Sequence, residues 1–174
     1  MKALIIDLRD NAGGRSNYAD YVLTHFSSKL IKTCSWSSRL YIPAHASWNE
    51  PPEWYTQSSD FLSPVRKEKI YDKPIIVLIN SGTFSSSEDF LVKFRGMNRG
   101  RIIGTASGGS TGNSVHITLI EGLVYANICS KKDISPDGLP FVGIGVMPDI
   151  EIKETRESFM ETKDIVLEKA ISKL

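Results

Sequence analysis

Short apolar runs alternate along this chain with loops rich in glycine or hydroxyls, and the loops lead into segments of helical spacing. The plainest runs are residues 3–6 (Ala-Leu-Ile-Ile) and Ile75–Ile79, each of strand length and too short for a buried helix. The first is followed by Asp7-Leu8-Arg9-Asp10-Asn11-Ala12-Gly13-Gly14, the second by Asn80-Ser81-Gly82-Thr83-Phe84-Ser85-Ser86-Ser87-Glu88. After the first loop Ser16 can cap a helix, with Tyr18, Val22 and Phe26 repeating every fourth position. After the second, a helix is predicted over residues 85–97, with Phe90, Leu91 and Phe94 facing the core and Gly96 and Gly100 bracketing its end. Two strand–loop–helix units of this kind bring both loops to the C-terminal edge of one sheet, where open α/β sheets hold their sites.

The remaining pattern completes one α/β domain. Residues 31–42 read as a strand or hairpin arm. Residues 43–64, with four prolines, Trp48, Trp54 and several serines, lack periodicity and read as an ordered surface insertion. A short strand is predicted over residues 101–104, then a glycine–serine loop over 105–113. Residues 115–119 and 123–129 flank Glu121-Gly122 as a hairpin, and Ser135-Pro136-Asp137-Gly138 is a turn. A last strand follows Pro148, and residues 159–174 read as one closing amphipathic helix. The expectation is a single domain, 1–174, whose helices flank a mixed sheet.

Composition narrows the function only by exclusion. The 174 residues are 41% hydrophobic and 24% charged, with 21 basic and 20 acidic residues, which suits a globular domain and argues against a nucleic-acid footprint. No apolar run approaches the length of a membrane span. Residues 1–7 run directly into a strand without signal-peptide layout, so the protein is expected to be cytosolic or the chain to lack its natural N-terminal part. Cys34 and Cys129 fit no metal or redox spacing and read as core thiols; neither a metal site nor a cofactor is expected.

The two loops carry the candidate chemistry. Adjacent glycines let backbone N–H groups approach a ligand, although Asn11 and the glycines would equally serve a tight turn. Ser85 stands three residues before Glu88, the spacing of a capping box, yet a cap alone does not require three consecutive serines. A hydroxyl at a helix start beside converging N–H donors is the raw material of acyl transfer: a nucleophile and an oxyanion hole. Asp7 and Arg9 are read as organising the first loop rather than reacting.

Four ordered motifs then resemble one family. Asp-Leu-Arg-x-Asn-x-Gly-Gly at residues 7–14 is similar to the signature of the C-terminal processing (tail-specific) serine peptidases, and Ser85-Ser86-Ser87-Glu88 resembles their nucleophile segment. The loop at 105–109 after Ile102-Ile103-Gly104, and Ser135-Pro136-Asp137-Gly138 followed by Gly145-Val146-Met147-Pro148-Asp149-Ile150, resemble two further family motifs. The resemblance implies a crotonase/Clp-like β-β-α core and a serine endopeptidase acting on unfolded or C-terminally exposed polypeptides. By motif position it makes Ser85 the nucleophile and assigns the oxyanion hole to the N–H of Ser86 with that of Gly13 or Gly14. It further implies a longer, exported protein, with an N-terminal region and often a PDZ domain that 174 residues cannot hold; oligomers are compatible with it.

One departure bears on mechanism. Where many members place a lysine base, this chain reads Gly108-Gly109-Ser110-Thr111-Gly112. That likens it to the tricorn-core branch, which draws a histidine and an acidic partner from elsewhere. His25 and His45 read as surface or packing residues, His116 as a weak base candidate, and Lys131 and Lys132 as solvated. The isolated chain is therefore expected to turn over little substrate. Two other functions stay open: a peptide-binding scaffold that keeps the fold without its base, and a crotonase-like acyl-CoA enzyme, in which the serine segment would have no purpose.

Overall fold

The computed structural model describes residues 2–109 and 112–174. Its centre is a four-stranded, wholly parallel sheet in the order β1 (Leu4–Asp7), β6 (Ile75–Ile79), β7 (Arg101–Gly104), β11 (Ile150–Glu151). All five residues of β6 are buried, as a strand with neighbours on both sides and helices on both faces requires. Ile75, Val77 and Ile79 face α1 (Ser16–Leu23) and α3 (Ser86–Met97), joining Leu23, Leu91 and Phe94 in the larger core. Ile76 and Leu78 face the other way, onto Val166 and Ala170 of α5 (Ile165–Ile171).

Antiparallel pairing is segregated into small sheets beside this one. β3 (Ser35–Leu40) lies between β10 (Lys131–Ile134) and β4 (Glu53–Gln57); β2 (Ile31–Lys32) pairs with β5 (Phe61–Leu62); β8 (Val115–Ile120) pairs with β9 (Val124–Ile128). Residues 43–64 hold α2 (Pro43–Ser47) together with β4 and β5, so this stretch pairs into two of the small sheets. The α/β class with flanking helices holds.

Three local expectations are corrected. α1 ends at Leu23 and buries Leu23 with Ala19 and the following Phe26, while Tyr18 and Val22 are exposed; Ser16 is its first residue, and Arg15 takes the capping position. α3 ends on Asn98, which adopts the left-handed conformation in place of a glycine. The closing helix is two helices, α4 (Arg156–Met160) and α5, separated at Thr162 (φ 52°); Asp164 restarts the chain by accepting the Leu167 N–H at 2.9 Å. Among the described residues no helix is long and apolar enough to cross a membrane.

Candidate active site

Because β1 and β6 are parallel neighbours, with Asp7 beside Leu78, their two loops leave the same edge of the sheet side by side. Short polar side chains weld them. The Asn11 carbonyl accepts the Phe84 N–H at 2.9 Å, and its Oδ1 accepts the Gly13 N–H at 3.0 Å and the Ser87 hydroxyl at 2.8 Å. Thr83 Oγ1 donates to the Leu8 carbonyl at 2.7 Å, and Asn80 Oδ1 accepts from Asp10 N–H at 2.9 Å and Gly82 N–H at 3.0 Å. Arg9 secures the outer end: it binds Asp7 and grips Asp164 with both terminal nitrogens at 2.8 and 2.7 Å. Hydrogen bonds from Arg9 hold both carboxyls below their ordinary range. Asp7 and Arg9 thus organise the loop.

Ser85 stands immediately before α3, half-buried, with φ 55° and ψ −123°. That region is nearly closed to residues with a side chain, and the strain persists only where neighbours enforce it. Gly13 shows what enforces it. A Cβ on Gly13 would lie 2.7 Å from the Phe84 carbonyl oxygen, 2.8 Å from Ser85 Cβ and 2.8 Å from Ser86 N, at a backbone φ of 95°. The first loop therefore presses directly on the turn that carries Ser85, and only glycine fits there.

Glu88 fixes the same turn from behind. It is fully buried; Oε2 accepts the Ser85 N–H at 3.2 Å, while Oε1 accepts the Ser107 hydroxyl at 2.5 Å and the Gly109 N–H at 2.6 Å. Ser107 Oγ in turn accepts the Val146 N–H at 2.6 Å, and Gly108 N–H donates to Thr83 O at 2.9 Å. Segments from four separate stretches of sequence meet at one sheet edge. Ser110, which with its glycine neighbours takes the place of the family's lysine step, and Thr111 lie outside the described residues.

Of the expected oxyanion donors, the geometry separates the two glycines. Gly13 N–H already donates to Asn11 Oδ1 at 3.0 Å. The N–H groups of Gly14 and Ser86 have no acceptor among the described residues, and a Cβ on Gly14 would meet nothing within 4 Å. Gly14 and Ser85 line one cleft of about 350 Å³.

Most residues of that cleft escaped the sequence reading. Ser85, at the cap of α3, and Asp89 and Lys93 within it follow one another every fourth position, a polar stripe along one face. Lys93 Nζ lies 2.5 Å from Asp20, and Lys131 Nζ lies 2.7 Å from Asp133 and 5.7 Å from the Trp36 ring. Lys131 is thus a largely buried cleft residue rather than a solvated strand end, its ammonium held between Asp133 and the Trp36 ring of β3. Burial pushes the Asp89 carboxyl up, against the hydrogen bond it accepts from the Ser16 hydroxyl at 2.8 Å. Cys34 also lines the cleft, and burial raises its thiol to about 12, which leaves it inert. Cys129, expected in the core, is exposed. None of the three histidines reaches this cleft: His25 contacts Tyr21 O, His45 pairs with Glu53, and His116 sits on exposed β8. Among the described residues no cluster could hold a metal ion.

Ser85 is thus a half-buried serine in a strained turn at a helix start, with Gly14 on the same cleft and Ser86 next to it in the chain, the ingredients from which an acyl-transfer site can be built. The chain belongs to peptidase family S41, whose model matches residues 1–152. It is 27% identical over 167 residues to a carboxy-terminal-processing protease of Bartonella bacilliformis, covering 96% of this chain and 35% of that protein. Among solved structures it resembles a Parabacteroides merdae peptidase (24% identity, TM-score 0.78, 98% of this chain and 51% of that one). It also resembles the photosystem II D1 C-terminal processing protease (21% identity, TM-score 0.59, 88% and 35%). These structural likenesses establish the fold. The chain spans about a third of the length of the curated relative it matches.

Proposed function

We propose that this chain is the core of a serine endopeptidase that cleaves peptide bonds through an acyl-enzyme on Ser85. Ser85 Oγ attacks the scissile carbonyl carbon and gives its proton to a base. The carbonyl oxygen becomes an oxyanion received by the N–H groups of Gly14 and Ser86, each such donor worth about 2.7–4 kcal/mol where measured. The amine leaves with a proton, and water then releases the acyl group. The observation that carries this reading is the pairing of a strained Ser85, on a cleft it shares with Gly14, with Gly13 pressed against its turn. The names of the relatives support polypeptide substrates processed near their C-termini.

Neither a histidine nor an unpaired lysine lines the described cleft, since Lys93 and Lys131 are each committed to an aspartate. This favours the tricorn-like arrangement, with a histidine brought in from outside the cleft, and it is also the observation behind the second reading, a peptide-binding scaffold. A fluorophosphonate probe, with and without added imidazole, separates them. Labelling that imidazole accelerates and Ser85→Ala abolishes supports the peptidase; equal labelling of both proteins, or none at any imidazole concentration, supports the scaffold.

A further inference from the structure

β8 and β9 form a ribbon that pairs with no third strand among the described residues. Its register sorts the side chains. Val115 faces Ile128, Ile117 faces Ala126, and Ile120 faces Val124, all on one side; His116, Asn127, Thr118 and Tyr125 occupy the other. A bulge between Thr118 and Ile120 sets Ile120, in place of Leu119, opposite Val124, and the first side is apolar along its whole length. An antiparallel ribbon with this alternation normally lays its apolar side on a core. Here that side is open to solvent, with Val115 52% and Ile120 53% exposed.

We propose that this apolar side is a docking surface for an extended, uncharged segment of the polypeptide substrate, which it guides into the Ser85 cleft; the proposal rests on the peptidase reading. Three observations select this occupant. First, the ribbon rises from the cleft itself: Gly112, Asn113 and Lys131, at its base, line the cleft, and Ser130 ties the two strands there by donating to Gly112 O at 3.1 Å and to Asn113 O at 2.5 Å. A chain lying along the ribbon is thereby continuous with the site. Second, residues 114–128 include no lysine or arginine, and Glu121 at the turn is the one acidic residue, so the surface selects apolar contacts over charge. Third, six side chains of this size expose on the order of 400 Å², about half of the roughly 800 Å² per partner of a standard stable interface. That area suits transient capture of a strand-like segment better than a permanent dimer of two ribbons.

The test separates docking from catalysis by using the Ser85→Ala chain, which binds without turnover. Anisotropy of a fluorescein-labelled, acetylated and amidated 12-residue peptide of Leu, Val, Ala and Ser is followed against protein concentration. Ile117→Thr and Ile128→Thr are expected to weaken binding at least tenfold, whereas Asn127→Ser and Tyr125→Thr, on the polar side, stay within about twofold. All four positions are on the surface ribbon, and unchanged melting temperatures confirm that the variants fold. Equal binding by the apolar-side and polar-side variants overturns the proposal. So does sedimentation showing a dimer that Ile117→Thr dissociates, which would make a second copy the occupant. Peptide binding that obeys this pattern while Ser85 never labels would leave the docking surface standing and remove the peptidase.

Discussion

Replacing Gly13 by alanine tests whether the glycine loop sets the geometry of Ser85. The new methyl would sit 2.7–2.8 Å from the Phe84 oxygen, Ser85 Cβ and Ser86 N, all backbone or near-backbone atoms that cannot rotate away. Holding alanine at φ 95° costs about 1–3 kcal/mol, and overpacking adds about 1–3 kcal/mol. A total of about 2–6 kcal/mol corresponds to a fall in Tm of roughly 5–20 °C for a domain of this size. The cheapest relaxation moves the first loop away from Ser86 by about 1 Å, and a displacement of that size costs on the order of 100-fold in rate. Gly138→Ala is the control, since its Cβ meets nothing within 4 Å and only the backbone φ of 78° opposes it, away from the Ser85 cleft. Differential scanning fluorimetry and the rate of fluorophosphonate labelling read the two effects. If Gly13→Ala melts and labels like the unchanged chain, the two loops do not press together and the reasoning fails.

Glu88→Gln keeps the volume but turns an NH₂ toward donors that now face carboxylate oxygens at Ser85, Ser107 and Gly109; it is expected to cost about 1.5–3 kcal/mol in urea unfolding and to slow Ser85 labelling, and an unchanged urea midpoint would remove Glu88 from the turn. Arg9 lowers the folded-state values of Asp7 and Asp164 beneath the ordinary 3.8, so the stability they add is complete above about pH 4 and is lost as pH falls through those lowered values. The urea midpoints of the unchanged chain and Arg9→Gln should therefore differ at pH 6 and converge toward pH 3; a constant gap contradicts the linkage. Asp89 is shifted upward by burial, so its ionised form costs stability above its folded value: Asp89→Asn should raise Tm at pH 7 and leave it unchanged at pH 3, and a loss of Tm at pH 7 refutes the assignment.

The parts of the fold that one residue type dictates were legible in the chain. Ile75–Ile79 admits hardly any reading but a buried strand, and β6 has those bounds. The motif loops announced a shared site because glycines and capping hydroxyls are local signals. What the sequence could not show is how elements distant in the chain face one another. The cleft combines α3 with α1, β3 and β10, so Asp20 and Lys131 became cleft residues only through packing. Asp89 and Lys93 were the exception, since their fourfold spacing from Ser85 was readable as a polar stripe. The division between Gly13 and Gly14 was likewise hidden, because it depends on which way the Asn11 amide turns. The closing helix was misread because nothing in the apolar pattern marks Thr162 as a left-handed break.

The central claim is that Ser85 and the N–H groups of Gly14 and Ser86 form one acyl-transfer site, and it can be tested without a general base. A peptide boronic acid soaked at pH 8.5 into crystals of this chain should form a tetrahedral boronate on Ser85 Oγ. One boronate oxygen should lie about 3 Å from both N–H groups. A boronate bound elsewhere, or one on Ser85 whose oxygens point away from Gly14 and Ser86, would contradict the account.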